Sequence, residues 1–384
     1  MAFDFIDQHL ATRKEEHLYR QRVLIEQQNA RHLVHEGKQY LNFSSNDYLG
    51  LNHHPKINAA LNEGAEKYGV CSSGSSLLTG FNYAHQYLEN VICQWQNKDK
   101  CLLFNSGFSA NFASLNAFAQ PSTAIWLDKL SHASLLDGAF SQQAKVKRFL
   151  HNDYQQLNNL INASSYPDHL IVSEGIFSMD GDSADINALS DIAQQHQAKL
   201  YIDDAHSIGI TGNEGQGSSS VTNDIDIIMA TFGKALATSG AFVACDNKTY
   251  EYLINVARHY IYSTAMSPAI AWATAKSIEL VINESWRREK IAHLSQLFKQ
   301  SLCSQVTLLP TSSSIHALVL GSEQLAMQSA ESLKQYGIWL SAIRPPTVPK
   351  GSSRLRVTIT SSHKEKDIKY LAECVNKVIE ENDR

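Results

Sequence analysis

One lysine stands in a segment of small residues that carries no other charge. Lys234 lies within Thr231–Gly240, and no other charged side chain occurs between Thr231 and Cys245. An ordinary lysine lies on a solvated face, but these flanks are typical of a structured pocket. Burial disfavours the ammonium form, and a neutral amine can form a Schiff base with an aldehyde. We interpret Lys234 as such an amine, with a solvated surface lysine as the alternative.

Two aspartates, Asp203 and Asp204, lie about 30 residues before that lysine, at the end of an apolar run. Asp203 is 31 residues upstream of Lys234, and His206 follows it by three residues. A carboxylate facing a pyridine nitrogen keeps the ring protonated and makes it an electron sink. Side chains alternate along a strand, which favours Asp203 over Asp204 for this role. The alternatives are a solvated turn for the aspartates and a hydrogen-bonded core position for His206.

A glycine turn before a helix-like stretch is a candidate phosphate site. Gly107 follows the apolar run 102–104 and permits close approach of the backbone. The N–H groups of Gly107 and Phe108 are expected at a helix N-terminus, which favours anions, and Thr231 offers a hydroxyl three residues before Lys234. The glycines at 212–217 lack the GxGxxG spacing, so we interpret them as a turn.

Two further polar residues are candidates on position alone. His132 lies at a predicted junction of loop and helix, where its ring either stacks on a planar ligand or is simply buried; the residues leave both readings open. Ser178 follows an apolar strand and either contacts a ligand or belongs to a turn.

Helix-like stretches alternate with short apolar runs from about residue 55 to 280, and these elements must position the candidates. The clearest runs are His169–Val172, Leu200–Ile202 and Asp226–Met229. This alternation predicts an α/β domain around a mostly parallel sheet. In such sheets functional residues collect just past the carboxyl ends of the strands.

The regions on either side of this domain differ from it in charge and in predicted secondary structure. Residues 4–30 are charged and are predicted to form a helix, followed by an extended piece at 39–43. A smaller α+β domain is predicted beyond residue 281. Its elements are a charged helix at Glu284–Gln300 and three short apolar runs at Ile315–Leu320, Ile338–Ile343 and Leu355–Ile359. A closing helix begins at a capping box of Ser362 and Glu365. We therefore divide the chain into an N-terminal helical segment, 1–50, a large α/β domain, 51–282, and a small C-terminal domain, 283–384.

Composition narrows the classes of function. The chain has 384 residues, of which 43% are apolar and 18% charged, so it can bury a sizeable core. Its 33 basic and 38 acidic side chains give a net charge of −5, and with no basic cluster we expect no nucleic-acid or membrane partner. Six scattered cysteines suit a reducing compartment and predict no metal site. We expect a cytoplasmic enzyme.

Taken with its neighbouring motifs, the lysine segment resembles that of class II pyridoxal 5′-phosphate (PLP) enzymes. The chain as a whole resembles the α-oxoamine synthases, through motifs spread over almost its full length; besides the lysine segment these are Tyr40–Gly50, Leu130–Ser134, Glu174–Asp182, Tyr201–Gly209, Ile261–Thr264 and Arg354–Arg356. The segment Ala342–Pro349 resembles the pimeloyl-using members rather than the acetyl-using ones. One departure is the segment Cys71–Gly80, which is poorer in glycine than in the family.

The resemblance implies a fold, a cofactor and a reaction. The fold is the PLP type I architecture, an α/β fold with a mostly parallel central sheet flanked by helices and a smaller α+β C-terminal domain. The family forms homodimers with sites at the subunit interface. The implied reaction joins L-alanine to a pimeloyl thioester, either pimeloyl-CoA or pimeloyl-acyl-carrier protein, with loss of CO2. It yields 8-amino-7-oxononanoate for biotin biosynthesis. The alternatives are a glycine C-acetyltransferase, another type I aminotransferase, or a cofactor-free subunit, which would be expected to lack the lysine.

The resemblance also implies roles for individual residues. Lys234 becomes the Schiff-base lysine and general base, Asp203 the partner of the ring nitrogen, and His132 the stacking residue that helps to polarise the thioester. The remaining cofactor contacts are His206, Ser178, the phosphate-binding Gly107, Phe108 and Thr231, and Ser263 or Thr264 for the neighbouring subunit's phosphate. The substrate contacts are Arg344, the expected clamp for the amino acid's carboxylate with Asn46 nearby, and Arg20, His132 and Thr347.

Overall fold

The computed structural model describes residues 3–16 and 18–382. The strands are, in chain order, β1 (Gln27–Gln28), β2 (His32–His35), β3 (Lys38–Asn42), β4 (Lys100–Phe104), β5 (Thr123–Asp128), β6 (Lys145–Phe149), β7 (Asp168–Glu174), β8 (Lys199–Asp203), β9 (Ile227–Thr231), β10 (Ala241–Cys245), β11 (Ile315–Gly321), β12 (Ile338–Trp339), β13 (Ser341–Ile343) and β14 (Ser353–Thr358). The helices are α1 (Phe5–Glu15), α2 (Pro55–Tyr68), α3 (Tyr83–Gln96), α4 (Gly107–Phe118), α5 (Ala133–Ala139), α6 (Tyr154–Asn162), α7 (Ile186–Gln195), α8 (Asn247–Val256), α9 (Arg258–Ile261), α10 (Pro268–Asn283), α11 (Trp286–Ser301), α12 (Glu323–Gln335) and α13 (Glu365–Asn382).

These elements form two compact units. The large unit comprises Leu49–Ser178 and Ser183–Glu289. The small unit comprises the described residues up to Tyr48, the short stretch Met179–Asp182, and the described residues from Lys290 onward. The division at 50/51 and 282/283 stays a prediction. Across the described residues, no helix is both long enough and apolar enough to cross a bilayer.

The large unit is built on a seven-stranded sheet in the order β4-β10-β9-β8-β7-β5-β6. Strand β10 runs antiparallel to both of its neighbours, and the other pairings are parallel. Every residue of β5 is buried, as are most of those in β7, β8 and β9, which explains why these strands are nearly continuous apolar runs. The predicted α/β class with a mostly parallel sheet is confirmed.

Polar residues lie at the carboxyl ends of the parallel strands, along one edge of this sheet. Strands β7, β8 and β9 end at Glu174, Asp203 and Thr231, and the register pairs Glu174 directly with Asp203. The chain then turns at Gly175, where an added Cβ would lie 2.1 Å from Asp204 Oδ1 and clash with it. Only glycine fits there, so the turn and the register together fix where the two carboxyl groups lie.

The small unit contains a four-stranded sheet, β1-β2-β3-β12, and a three-stranded sheet, β11-β14-β13. Residues 338–343, predicted as one strand, are two strands in different sheets. Trp339 pairs with Asn42 of β3, whereas Ser341 pairs with Arg356 of β14. The closing helix α13 packs one face into the core, because four apolar residues at helical spacing are all buried: Ile368, Leu371, Val375 and Val378.

Two predictions near the ends of the chain are corrected. The predicted helix over 4–30 is too long, since α1 ends at Glu15 and β1 pairs with β2. Helix α1 buries none of its residues, so no tertiary packing favours its extension. The predicted capping box is also wrong. The N–H of Lys364 donates to Asp367 Oδ2 at 2.8 Å, while Glu365 instead contacts His293.

Candidate active site

A cavity of about 180 Å³ lies in the large unit where β7, β8 and β9 end. The residues that line it come from strand ends, the starts of α4 and α5, and the loop after β9; they are Gly107, Phe108, Asn111, His132, Ser134, Glu174, Asp203, Ala205, His206, Met229, Thr231 and Lys234. Seven of these were predicted as site residues. The remaining five, including Asn111, Ser134 and Glu174, were not.

A larger cavity, of about 610 Å³, lies at the other edge of the sheet. Its lining includes Lys199 and two carboxylates, and Lys199 Nζ lies 3.2 Å from Asp226 and 3.4 Å from Asp246. These opposite charges neutralise one another. The smaller cavity contains the predicted site residues, so we place the candidate active site there.

Asp203 presents a buried carboxylate to the cavity. Its Oδ2 accepts a 2.7 Å hydrogen bond from Asn111 Nδ2, and its Oδ1 accepts one of 2.9 Å from the N–H of Ala205. Asp204 is turned away, with one oxygen accepting from the N–H and the other from the hydroxyl of Ser218, both at 2.6 Å. Burial raises the pKa of Asp204 to about 6, despite these hydrogen bonds. The alternation expected along β8 is therefore present.

Glu174 is a second buried carboxyl group in the cavity. Its Oε1 accepts a 2.6 Å hydrogen bond from the N–H of His132. Burial, and then the nearby charge of Asp203, raise the pKa of Glu174 well above its usual range. Two adjacent strand ends thus place two buried carboxyl groups side by side. Sequence reasoning missed Glu174, although its place at the end of β7 matches that of Asp203 on β8.

His132 caps the N-terminus of α5. Its Nδ1 accepts a hydrogen bond from the N–H of Ser134 at 3.2 Å and lies 2.8 Å from the hydroxyl of the same residue. The predicted junction of loop and helix is therefore present, and His132 lines the cavity there. Whether it stacks on a ligand stays a prediction.

The N-terminus of α4 is directed at the same cavity. Ser106 caps the helix by accepting from the N–H of Ser109 at 3.1 Å. The N–H groups of Gly107 and Phe108 belong to the first turn, whose donors have no partner within the helix. An added Cβ at Gly107 would meet Thr231 Cβ at 3.6 Å and no atom closer. The protein therefore leaves space beside these donors.

Lys234 lies in a tight loop between β9 and β10. The N–H of Phe232 donates to the carbonyl of Gly240 at 2.9 Å, and Ala237 takes a left-handed conformation with φ of 52°. The N–H of Ala237 donates to the carbonyl of Lys234 at 3.0 Å, which holds the loop closed. The positive charge of Lys234 lowers the pKa of Glu174 and so opposes the effect of burial.

His206, which is 7% exposed, also lines the cavity.

The remaining predicted residues lie elsewhere. Ser178, Ser263 and Thr264 belong to the large unit but do not line this cavity. Asn105 Nδ2 donates to the carbonyl of Thr264 at 2.8 Å. Of the predicted substrate contacts, His132 lines the cavity, whereas the others lie in the small unit; they are Arg20, Asn46, Arg344 and Thr347. Their roles stay predictions.

Asn46 is bound by an arginine other than the predicted one. Its Oδ1 accepts from both Nη atoms of Arg356 at 3.3 Å, whereas Arg344 Nη1 donates to Met327 Sδ at 3.0 Å. Arg356 is buried within β14, which also contains a second buried arginine, Arg354. The alternation of two arginines with Leu355 and Val357 is the sequence signal that could have found it, because it places both arginines on one face of a strand. The small unit thus offers two candidates for binding a carboxylate.

Comparisons with known proteins identify the family. The aminotransferase class I and II family matches residues 38–375. The chain is 44% identical over 375 residues to the 8-amino-7-oxononanoate synthase of Salmonella paratyphi B, covering 97% of each chain. It is 43% identical to that of Photobacterium profundum, covering 96% of this chain and 95% of the relative. The chain belongs to the 8-amino-7-oxononanoate synthase family.

Solved structures agree with this assignment. An 8-amino-7-oxononanoate synthase from Francisella tularensis is 28% identical, with a TM-score of 0.78 over 90% of this chain and 99% of that one. A serine palmitoyltransferase from S. paucimobilis with bound PLP and myriocin is 26% identical, with a TM-score of 0.91 over 98% and 97%. The predicted resemblance, fold class and PLP dependence are confirmed.

Proposed function

We propose that this chain condenses L-alanine with a pimeloyl thioester, releasing CO2 and the free thiol carrier and forming 8-amino-7-oxononanoate for biotin synthesis. The full-length similarity to synthases of that name carries the proposal. The cavity supports it chemically, because it gathers an amine, a buried carboxylate and a helix N-terminus in one place.

The residues of the cavity fit PLP in charge, donors and space. Asp203 offers a buried carboxylate to a protonated ring nitrogen, and Lys234 offers a primary amine to an aldehyde. The first-turn N–H groups of α4 are donors suited to a phosphate. The space for the ligand is the cavity of about 180 Å³, whose lining includes Gly107 and Phe108. We propose that Thr231, His206 and the ring of His132 complete the binding site.

When bound, PLP supplies a protonated pyridine ring that can delocalise the electron pair of a bond broken at the amino acid's α-carbon. Lys234 Nζ takes the α-proton of L-alanine and later returns a proton to the same carbon. Asp203 holds the proton on the ring nitrogen throughout. His132 polarises the thioester carbonyl while the new carbon–carbon bond forms and the thiol leaves, after which the carboxyl group leaves as CO2.

The carboxylate of L-alanine requires its own binding group. A guanidinium suits this task because its fork of N–H donors matches a carboxylate. Arg344 is the arginine proposed from the family resemblance, and Arg356, held by Asn46, is the alternative that the contacts of the small unit support. Arg20 and Thr347 are proposed as further substrate contacts.

A substrate panel tests this function. The purified PLP-loaded protein is assayed with L-alanine or glycine, each with pimeloyl-CoA, pimeloyl-acyl-carrier protein or acetyl-CoA, and both CO2 and the amino ketone are measured. We expect turnover with L-alanine and a pimeloyl donor, and the two pimeloyl arms identify the carrier. Preference for glycine and acetyl-CoA would instead indicate a glycine C-acetyltransferase. Amino-group transfer to a keto acid without CO2 would indicate an aminotransferase.

We further propose that the chain forms a homodimer. Two segments of the large unit, joined by a backbone bridge between Ser75 and Thr264, expose large apolar side chains. Leu78 is 82% exposed and Tyr262 is 72% exposed, and such apolar patches mark interaction surfaces. Light scattering on the eluted protein is expected to give twice the chain mass, and Leu78→Asp is expected to reduce it. A monomer with full activity would contradict the proposal.

The proposed location is the cytoplasm. All six cysteines are free, as expected in a reducing compartment. Fractionation of cells that express the tagged chain tests this location.

A further inference from the structure

One asparagine connects Asp203 to His132. Asn111, on the first turns of α4, donates from Nδ2 to Asp203 Oδ2 at 2.7 Å and to the hydroxyl of Ser134 at 2.9 Å. That hydroxyl lies 2.8 Å from His132 Nδ1. Asn111 and Ser134 are 1% and 0% exposed, so water does not substitute for these contacts. A continuous set of hydrogen bonds therefore joins the two residues proposed to act on the cofactor ring and the thioester.

The orientation of the Asn111 amide follows from its partners. A carboxylate can only accept hydrogen bonds, so the side facing Asp203 must be the NH2 group. On the other side, the hydroxyl of Tyr201 donates to Asn111 Oδ1 at 2.8 Å. Tyr201 is fully buried, and it holds the amide with its two donors directed at Asp203 and Ser134.

The same contacts decide the tautomer of His132. A backbone N–H can only donate, and that of Ser134 points at His132 Nδ1 at 3.2 Å. The hydroxyl of Ser134 accepts from Asn111, which leaves its own proton for Nδ1. Two donors thus converge on Nδ1, so Nδ1 is an acceptor and the ring carries its proton on Nε2. A donor at Nε2 is what polarising a carbonyl oxygen requires.

We propose that Asn111 and Ser134 are positioning residues that orient Asp203 and hold His132 with its proton on Nε2, with Tyr201 fixing the amide. None of the three was assigned a role from the sequence. The kinetic consequence rests on the proposed function, whereas the tautomer is a property of the protein itself.

The test combines histidine-selective ¹⁵N NMR of the PLP-loaded protein with steady-state kinetics. The NMR experiment distinguishes protonated from unprotonated ring nitrogens, and His132→Asn assigns the resonance of His132. In the wild type we expect a proton on Nε2. In Ser134→Ala we expect the Nδ1 resonance to shift and kcat to fall roughly 10- to 100-fold, as for the loss of one buried hydrogen bond, with KM for L-alanine within about threefold.

A matched control exists on the same helix. Asn116 Nδ2 donates to the hydroxyl of Ser141 at 2.7 Å, an Asn–Ser contact of the same kind outside the cavity. Asn116→Ala is expected to lower stability without moving the His132 resonance or kcat. If it moves them as far as Ser134→Ala does, general loosening of α4 explains the data and the proposal is overturned.

A second variant completes the test should Ser134→Ala fail to fold. Tyr201→Phe keeps the ring and removes the hydroxyl that orients Asn111, and we expect the same shift and a smaller loss of kcat. Because both variants act through one amide, the double variant should lose less kcat than the product of the single losses. Three results would each overturn the proposal: kcat losses that multiply in the double variant, a proton on Nδ1 of His132 in the wild type, or unchanged His132 resonances in both single variants. An inactive wild type with the proton on Nε2 counts against the proposed function alone.

Discussion

The space beside Gly107 makes a prediction about where phosphate binds. In Gly107→Ala the new Cβ would lie 3.6 Å from Thr231 Cβ and 3.9 Å from Met229 Cε, which are ordinary van der Waals distances. The backbone of Gly107 is not in the left-handed region, so alanine introduces no strain there. The protein alone therefore does not require glycine at this position. If a phosphate binds at the first turn of α4, only the ligand requires it.

The substitution should change the free energy of unfolding and the free energy of PLP binding by different amounts. Alanine is preferred over glycine in a helix by about 0.5–1 kcal/mol, so the variant without PLP should be as stable as the wild type or slightly more stable. A methyl group forced against a bound phosphate costs about 1–3 kcal/mol, as in other overpacked sites. At about 1.4 kcal/mol per tenfold, we expect the Kd for PLP to rise roughly 5- to 150-fold.

Gly64→Ala provides the opposite control. Gly64 lies in α2, and its added Cβ would approach Trp272 Cβ to 2.9 Å and the Cα of Ala269 to 3.0 Å, both in α10. This variant should lose about 1–3 kcal/mol of unfolding free energy and keep its affinity for PLP.

The assay measures Tm of the PLP-free protein by scanning fluorimetry and Kd for PLP by absorbance titration. A Gly107→Ala protein that binds PLP within twofold of the wild type would refute phosphate binding at α4. One that unfolds as easily as Gly64→Ala would refute the packing argument.

Four further predictions concern single side chains. Lys234→Ala should lower kcat roughly 10²- to 10⁴-fold and release its PLP on gel filtration after borohydride treatment, because both the base and the covalent tether are lost. Asp203→Asn should lower kcat roughly 10- to 1,000-fold, because a neutral amide does not hold the proton on the ring nitrogen. It should also lower the Tm, because its NH2 group must face a donor where Asp203 accepts from both Asn111 and Ala205. Arg356→Ala should raise KM for L-alanine roughly 10- to 100-fold and more than Arg344→Ala does, because Arg356 is the buried arginine that Asn46 holds. Burial lowers the pKa of His363 to about 4, so as the pH is lowered the unfolded chain takes up this proton near pH 6.5 and the folded chain only near pH 4. His363 should therefore contribute a fall of about 1.4 kcal/mol in the unfolding free energy, measured in urea, for each pH unit lowered between these values, and His363→Gln should lack this contribution. His316, whose pKa burial lowers to about 3, adds a fall that both proteins share.

Each of these has a contrary outcome. Retention of PLP by Lys234→Ala after borohydride would show that another amine binds it. Wild-type turnover by Asp203→Asn would remove Asp203 from the ring nitrogen. A larger KM effect at Arg344 would return the carboxylate to the arginine predicted from the family. Equal pH slopes for the wild type and His363→Gln would show that this histidine is not buried in its neutral form.

The sequence predicted the strand ends better than the contacts around them. Asp203 and Thr231 could be placed because each ends a short apolar run, and in a parallel sheet such ends share one edge. Gly107 and His132 could be placed because a glycine and a polar residue before a helical pattern mark helix starts. These inferences use only local information along the chain.

Asn111, Ser134 and Glu174 could not be assigned in this way. Asn111 is one polar residue within α4, and its bond to Asp203 spans 92 positions in the chain. Only the packing of α4 against the sheet brings the two together. The predicted helix over 4–30 also failed on contacts distant from the local pattern: α1 ends at Glu15, and Gln27–Gln28 pair with β2 instead.

The paired ends of β7 and β8 have a consequence for the life of the protein in a cell. Glu174 and Asp203 place two buried carboxyl groups side by side, and we propose that a protonated pyridine ring bound against Asp203 offsets the negative charge there. Binding to the folded state alone adds about 2.7 kcal/mol of stability at a ligand concentration one hundred times Kd. PLP is made from vitamin B6, so chains synthesised during vitamin B6 shortage are expected to unfold and be degraded faster. The supply of vitamin B6 would then limit the amount of this enzyme of biotin synthesis.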